Sequence, residues 1–392
     1  MIGRIGGGLK SVVLTALAQA PDEPGVLLAT RRIAGRSLLS RQIDLAVRCR
    51  AGRVICVSEG PSRTVFEAQA LAEAAGLRFH SVARAHDIPP LVSANDHVVV
   101  VAEGLLPGGD EFLAACEAPL VTTLHASADG DGFERIDERS NWAGLCSADG
   151  ATVRRLSELP ADVDIAASVL RLALQSGVPR QDLTSHEGRV RIGHGLPFAA
   201  QERDWIERNV NFAEFATPGR AVAQRFGARL ARDIIGTRLE RIFMGISVSL
   251  GGFSLLLAWL QSVPGALVLA AGSIFALHVH RTIAGLARGG HGGRESPLDA
   301  ANLVLPSIYI VGALGLPHAA DGLWHPAAFA VTLLLLRRIL VDLDRAPFLQ
   351  DRIALTMLLL CASIFGMSAA GSALLCLVAC AVLLRERRVS AA

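Results

Sequence analysis

At 392 residues and 51% hydrophobic, with a mean hydropathy of +0.42, the chain is too apolar for an ordinary soluble protein, and the excess sits almost wholly after residue 241. A formal net charge of +2 supplies no global basic field, so nucleic acid is not an expected partner. Lys10 is the one lysine, so chemistry that sets a lysine beside a phosphate has no candidate elsewhere.

The seven cysteines, at 49, 56, 116, 146, 361, 376 and 380, show no C-x-x-C spacing and imply neither a zinc site nor a disulfide framework. Cys376 and Cys380, one turn apart in an apolar segment, read as packing residues. No cleavable signal peptide is read at the start, where the apolar run before Pro21 is short.

From Lys10 to about Leu196 short apolar runs alternate with helix-like stretches: SVVLTAL, GVLLAT, GRSLLSRQIDLAVRC, RVICV, TVFEAQALAEAAG, LRFHSV and DHVVVVAEG. β-Branched runs separated by amphipathic helices predict an α/β domain with a mostly parallel sheet. A further helix is expected over Asp162 to Ser176, with Asp162 or Asp164 as N-cap. Asp129, Asp131, Glu134 and Asp137 read as a solvated acidic loop, with a metal site as the minor reading, and Gly6 to Gly8 as a flexible start.

The phrase AGRSLLSRQIDLAVRCRAGRVICV (Ala34 to Val57) and the strand DHVVVVAEGLLP resemble the nucleotidyltransferases that make sugar-nucleotides and CDP-alcohols. The resemblance implies a metal-ligand role for Glu103, which stands where those enzymes carry a magnesium-binding aspartate. The alternative is a polar residue ending a buried strand. The family's glycine-rich phosphate loop has no counterpart: Thr15 to Gly25 offers Asp22 and Glu23 where a triphosphate needs donors, so nucleotide transfer is not expected here.

Between Pro218 and Arg241, Val222, Phe226, Leu230 and Ile234 fall four apart, with Arg220, Arg225, Arg229, Arg232 and Arg238 largely on other faces. This pattern predicts an amphipathic helix at a membrane interface. Beyond it, Ile242–Leu260, Pro264–Ala284, Ala300–Leu316 and Leu323–Leu340 are long enough to be spans, and Ile353–Leu384 is read as two short ones that turn near Gly366 to Ser372. Arginines occur only in alternate connections, which places both termini in the cytoplasm. The domains read as 1–200 (α/β), 201–241 (linker and interfacial helix) and 242–388 (an all-α six-helix transmembrane domain).

Six spans, a basic interfacial helix and the polar link HVHRTIAGLARGGHGGRESPLDAAN (His278 to Asn302) resemble the CDP-alcohol phosphatidyltransferases. In that family four aspartates around such a link hold two divalent cations, which bind the CDP diphosphate. Setting the family's A-R pair on Ala287 and Arg288 puts the aspartate positions on His280, Ile283, Ala301 and Leu305, three of which carry no metal-binding atom and none a carboxylate oxygen.

The resemblance therefore implies a bacterial inner-membrane relative of phospholipid and inositol-lipid headgroup transferases that has lost catalysis. Arg281, Arg288 and Arg294 are its expected headgroup ligands. Expected partners are membrane lipids, a CDP-alcohol or nucleotide, and a second copy or an active paralogue. The alternative is an active transferase centred on Asp299, Glu295 and Arg288 with Mg2+ as cofactor. A softer metal on His280, with His278, His291 and Asp299, is the minor reading.

Overall fold

The computed structural model describes residues 4–5, 8–107, 110–125, 134–160, 162–183, 189–192, 197–210, 212–289, 300–314, 347–367 and 370–378. They form two compact units that divide between Asn209 and Val210.

The first unit runs β1 (Gly8–Ala16), α1 (Leu38–Arg48), β2 (Arg53–Ser58), α2 (Arg63–Ala74), β3 (Arg78–Val82), β4 (His97–Val101), β5 (Leu120–His125), β6 (Ser140–Asp149), α3 (Ile165–Gln175), β7 (Arg180–Asp182) and α4 (Phe198–Asn209). The sheet order is β7-β5-β6-β4-β1-β2-β3. β1 lies parallel to both β2 and β4, β2 to β3 and β5 to β7, while β6 runs antiparallel to β4 and β5. The fold is thus α/β with a mostly parallel sheet. Val98 to Val101 are wholly buried, as are Val12, Leu14 and Val54 to Val57. Such continuous apolar runs are what strands covered on both faces require.

Local signals start the helices. Ser37, Ser62 and Asp164 accept from the amides of Ser40, Val65 and Ala167 and so cap α1, α2 and α3. The apolar run GVLLAT is not a strand. Gly25 takes φ +85 and Leu28–Thr30 forms one 3-10 turn, with Leu28 N donating to Ala18 O at 2.8 Å. That fold-back makes the run a wall beside the end of β1.

The second unit contains α5 (Pro218–Ile234), α6 (Ile242–Trp259), α7 (Val263–Ala287), α8 (Ala300–Leu314) and α9 (Arg352–Ile364). Among the described residues two helices, α6 and α7, are long and apolar enough to cross a membrane, against the six spans read from the sequence. α9, capped at Asp351 and Phe365, has 13 residues and is short of a crossing, and α8 is described over 15 residues. Leu323–Leu340 lies outside the described residues. The last apolar run turns near the expected place: α9 ends at Ile364, Gly366 takes φ +71, and residues 370–378 are helical again.

α6 and α7 form an antiparallel hairpin closed at Gln261, which takes φ +64. Serines bind it together. Ser247 Oγ donates to Ser273 O at 2.9 Å, Ser273 Oγ returns to Ser247 O at 2.7 Å, and Ser254 Oγ donates to Ala266 O at 2.7 Å. Small residues and hydroxyl-to-carbonyl bonds are how helices associate where there is no hydrophobic drive to bring them together. Both contacts share one register, which sets Arg241 level with Val279 and His280. Basic residues therefore gather at the open end, and the closed end carries none.

α5 departs from its expected stripe. Val222 and Phe226 remain exposed and Ile234 is buried, while Ala221, Ala223, Gly227, Ala228 and Ala231 form the packed face. A Cβ at Gly227 would lie 3.0 Å from Thr282 Cβ and 3.1 Å from Val279 O, so this face needs small residues to approach α7. Phe226 also packs on Phe275, with ring centroids 5.8 Å apart.

Candidate functional site

The chain steps from β1 to β2 and β3 on one side, then returns to β4 on the other side of β1. Such a reversal opens a crevice outside the carboxyl ends of the two central strands, the usual place for a ligand in an open α/β sheet. Here the crevice is about 410 Å³ and is lined by Thr15, Leu17, Gln19, Glu103, Glu134, Trp142, Asp164 and Ile165, among others. A second hollow of about 270 Å³ lies between the ends of β1 and β2. Ala16, Leu39 and Val65 contribute apolar wall, and Thr30, Ser58, Ser62 and Thr64 contribute hydroxyls.

Glu103 sits where the sequence places it, just past β4. Its Oε2 accepts from Leu17 N at 3.0 Å and Ala18 N at 3.1 Å. These are the amides of the loop after the first strand, the groups that a phosphate-binding loop would leave open. Burial pushes the Glu103 carboxyl above its ordinary value, and the two amides and the Thr15 hydroxyl draw it part of the way back. Oε1 is buried without a hydrogen-bond partner among the described residues.

The other carboxylates are engaged too. Asp164 caps α3, accepting from Ala167 N at 2.8 Å, and Glu134 holds Arg171 at 2.8 Å. Outside the crevice lining, Asp137 pairs with Arg180 at 2.7 Å. Asp129 and Asp131, the rest of the acidic loop, lie outside the described residues. Asp22 and Glu23 both bind Arg31, at 2.5 and 2.9 Å, and Arg31 also lies over the Phe198 ring of α4. Arg31 thus offsets one of the two charges that Asp22 and Glu23 bring to this loop.

The arginines of G-R-x-L-L-x-R are likewise used inside the fold. Arg36 holds Asp44 through two bonds of 2.7 and 3.1 Å. Arg41, 5% exposed, donates to Ile33 O and Ala34 O and lies 4.1 Å from the centroid of the Trp205 ring. Burial, then Arg36, lowers its pKa to about 9, which leaves it charged at neutral pH. Glu202 of α4 accepts from Ala34 N at 2.9 Å across the same turn, where Ala34 and Gly35 both have positive φ. Lys10 lies toward the start of β1, away from the crevice, with Nζ 3.0 Å from Glu117.

In the second unit, Arg281 and Arg288 both lie on α7. Arg288 is exposed at its C-cap, with Nε donating to Ala284 O at 3.1 Å. Seven residues apart, the two share one face about 10 Å apart along the axis. His280 and His278 are half-buried on the same helix. Arg294, Glu295, Asp299 and His291 lie outside the described residues. Among the described residues no group of three or more His, Cys, Asp or Glu is arranged to hold a metal ion.

Sequence reasoning missed Asp351. Buried at 2% exposure, it accepts from Gly219 N and Arg220 N at the start of α5 and from Ile353 N and Ala354 N at the start of α9. Its place just before an apolar helix was a readable N-cap signal.

No protein-family model matches the chain, and no curated protein matches it. Among solved structures it is similar to UDP-glucose pyrophosphorylase complexed with UDP-glucose, at 10% identity and a TM-score of 0.32 over 43% of this chain and 88% of that one. A likeness at that score carries no argument about function, which rests on the geometry above.

Proposed function

We propose that the chain is a membrane-embedded relative of headgroup transferases that binds a headgroup without transferring it. The observation that carries this reading is the pair of bonds from Leu17 N and Ala18 N to Glu103. A carboxylate of the protein occupies the donors that an incoming phosphate would need, and among the described residues no lysine or arginine lines the crevice. Glu103 and Asp164 repel an anion, the charge of Glu134 being offset by Arg171, and the carboxylates accept hydrogen bonds from hydroxyls. The crevice suits an uncharged polyol or sugar-like group, with the hydroxyl-bearing hollow beside it as a second compartment.

The hairpin α6/α7 supports membrane insertion. An α-helix of 18 residues rises about 27 Å, close to the hydrocarbon thickness of about 30 Å. The apolar window of α6 is only 17% buried, and Val248, Phe253 and Leu256 are exposed, which fits a lipid-facing surface. At the open end Arg241, Arg281 and Arg288 suit the phosphates of anionic lipids on the cytoplasmic side.

Two measurements on the detergent-purified protein test the reading. With Mg2+ and either CTP plus inositol phosphate or a CDP-alcohol plus lipid acceptor, no pyrophosphate or CMP is expected, and turnover above a heat-treated control overturns the proposal. In thermal-shift titrations free inositol is expected to raise the melting temperature and CTP is not. Stabilisation by CTP alone would also overturn it.

A further inference from the structure

The outer side of α5 carries two edges of opposite chemistry. The helix buries Ala223, Gly227 and Ala231, while Val222 and Phe226 stay 53% and 43% exposed. With half-buried Leu230 they form one edge at i, i+4, i+8 spacing. Arg225, Arg229 and Arg232 form the other at i, i+4, i+7, and the last two are exposed.

Contacts with α7 fix which edge looks along the apolar length of the hairpin. Gly227 faces Thr282 and Val279, whereas Phe226 packs on Phe275, with ring centroids 5.8 Å apart. Phe275 precedes Arg281 by six residues on the same helix, which places it about 9 Å farther from the open, basic end. The apolar edge therefore looks down the hairpin, and the arginine edge, across the helix from it, looks toward the open end. Arg225 is steadied there by bonds to Ala221 O at 3.2 Å and Ala213 O at 3.4 Å, and it lies 4.3 Å from the centroid of the exposed Phe215 ring.

Charge decides how such a helix meets a bilayer. Four arginines against the single Asp233 are spread over the whole of Pro218–Ile234, so a crossing would carry guanidinium groups into hydrocarbon. We infer that α5 lies along the membrane surface as a dock for anionic lipid, with Val222, Phe226 and Leu230 among the upper acyl chains and Arg225, Arg229 and Arg232 at the lipid phosphates. The inference rests on the membrane reading of α6 and α7 and adds a surface to it. The level of Phe226, about 9 Å below Arg281, matches the depth of about 5–10 Å to which the apolar face of an interfacial helix sinks. Guanidinium groups hold phosphate oxygens by charge and by paired hydrogen bonds, so a bilayer of net negative charge is the preferred partner.

The test uses the full chain reconstituted into phosphatidylcholine vesicles that contain brominated lipids, which quench tryptophan on contact. Native emission is expected to be quenched in part, because Trp259 ends α6. Phe226→Trp is expected to add emission that lipids brominated near the headgroup quench more than lipids brominated at the chain end. In that background Arg229→Gln is expected to lower the relative affinity for brominated phosphatidylglycerol over brominated phosphatidylcholine by about fivefold, the worth of one arginine at the surface. Added emission that escapes quenching while native emission is quenched would overturn the dock and leave the membrane reading standing. Native emission that escapes as well would overturn both. An unchanged lipid preference in Arg229→Gln would overturn the anionic partner. Val222→Trp, on the same edge, decides the matter if Phe226→Trp does not fold.

Discussion

Asp351 Oδ2 lies 2.6 Å from the amide nitrogen of Gly219, joining the starts of two helices more than a hundred residues apart in sequence. The same oxygen accepts from Arg220 N at 3.3 Å, and Oδ1 accepts from Ile353 N and Ala354 N, both at 3.1 Å. One carboxylate thus serves two positive helix ends. Asp351→Ala is expected to lower stability by about 2–4 kcal/mol, the worth of two caps. Gly219→Ala should also destabilise, since its Cβ would meet Ile353 Cβ at 2.5 Å. Denaturation followed by far-ultraviolet circular dichroism in a fixed detergent measures both, and a wild-type melt for Asp351→Ala would refute the double cap.

Glu103 gives stability a pH dependence of known sign. Its folded pKa is raised, so its contribution is fully present below the ordinary value of 4.5 and is lost as pH rises through the folded value. Glu103→Gln keeps an oxygen for the two amides and removes the titration. The difference between variant and wild-type stability should therefore grow in the variant's favour as pH rises from about 4.5 toward neutrality. Chemical denaturation at several pH values reads it, and a pH-independent difference would contradict the assignment.

The same substitution bears on ligand choice. With the carboxylate neutralised, the crevice should hold CTP more tightly than the wild type does, because the like-charge repulsion is reduced. Isothermal titration of the two proteins with CTP tests this, and equal or weaker binding by the variant would count against the crevice as the anion-excluding site.

Ser247 and Ser273 exchange hydroxyl-to-carbonyl bonds across the hairpin. A double-mutant cycle of Ser247→Ala and Ser273→Ala should show a coupling of about 0.6 kcal/mol, the usual worth of such bonds between membrane helices. Unfolding in mixed micelles supplies the four stabilities. Strict additivity would mean that packing alone holds the hairpin.

Arg41 clamps the turn at Ala34 by hydrogen bonds and by stacking on Trp205. Lysine cannot reproduce the planar fork, so Arg41→Lys should cost about 2–4 kcal/mol. Trp205 fluorescence should shift to the red as α4 loosens, and an unshifted spectrum would argue against the stacking.

Much of the α/β unit was legible because buried parallel strands are written as unbroken apolar runs, and because Asp164 announces α3 by a local rule. GVLLAT was misread for the same reason: a short, mostly apolar run without a period fits a crevice wall as well as a strand. The end of β4 at Glu103 was readable, but its partners at Leu17 and Ala18 lie 86 and 85 residues away, beyond any local signal. In α5 the fourfold spacing found the larger apolar side chains, whereas close approach to α7 selected alanine and glycine instead. In the last apolar run hydropathy together with Gly366 located the turn after α9.

The charge-free bend of the hairpin bears on biogenesis. Leu260, Gln261 and Ser262 carry no ionic group, so an insertion of the kind proposed would thread the tip through the bilayer without dragging a charge across the hydrocarbon, a step that costs about 2.5–3.5 kcal/mol per arginine at mid-depth. The proposed insertion would leave the guanidinium groups of Arg241, Arg281 and Arg288 on the side from which the hairpin enters.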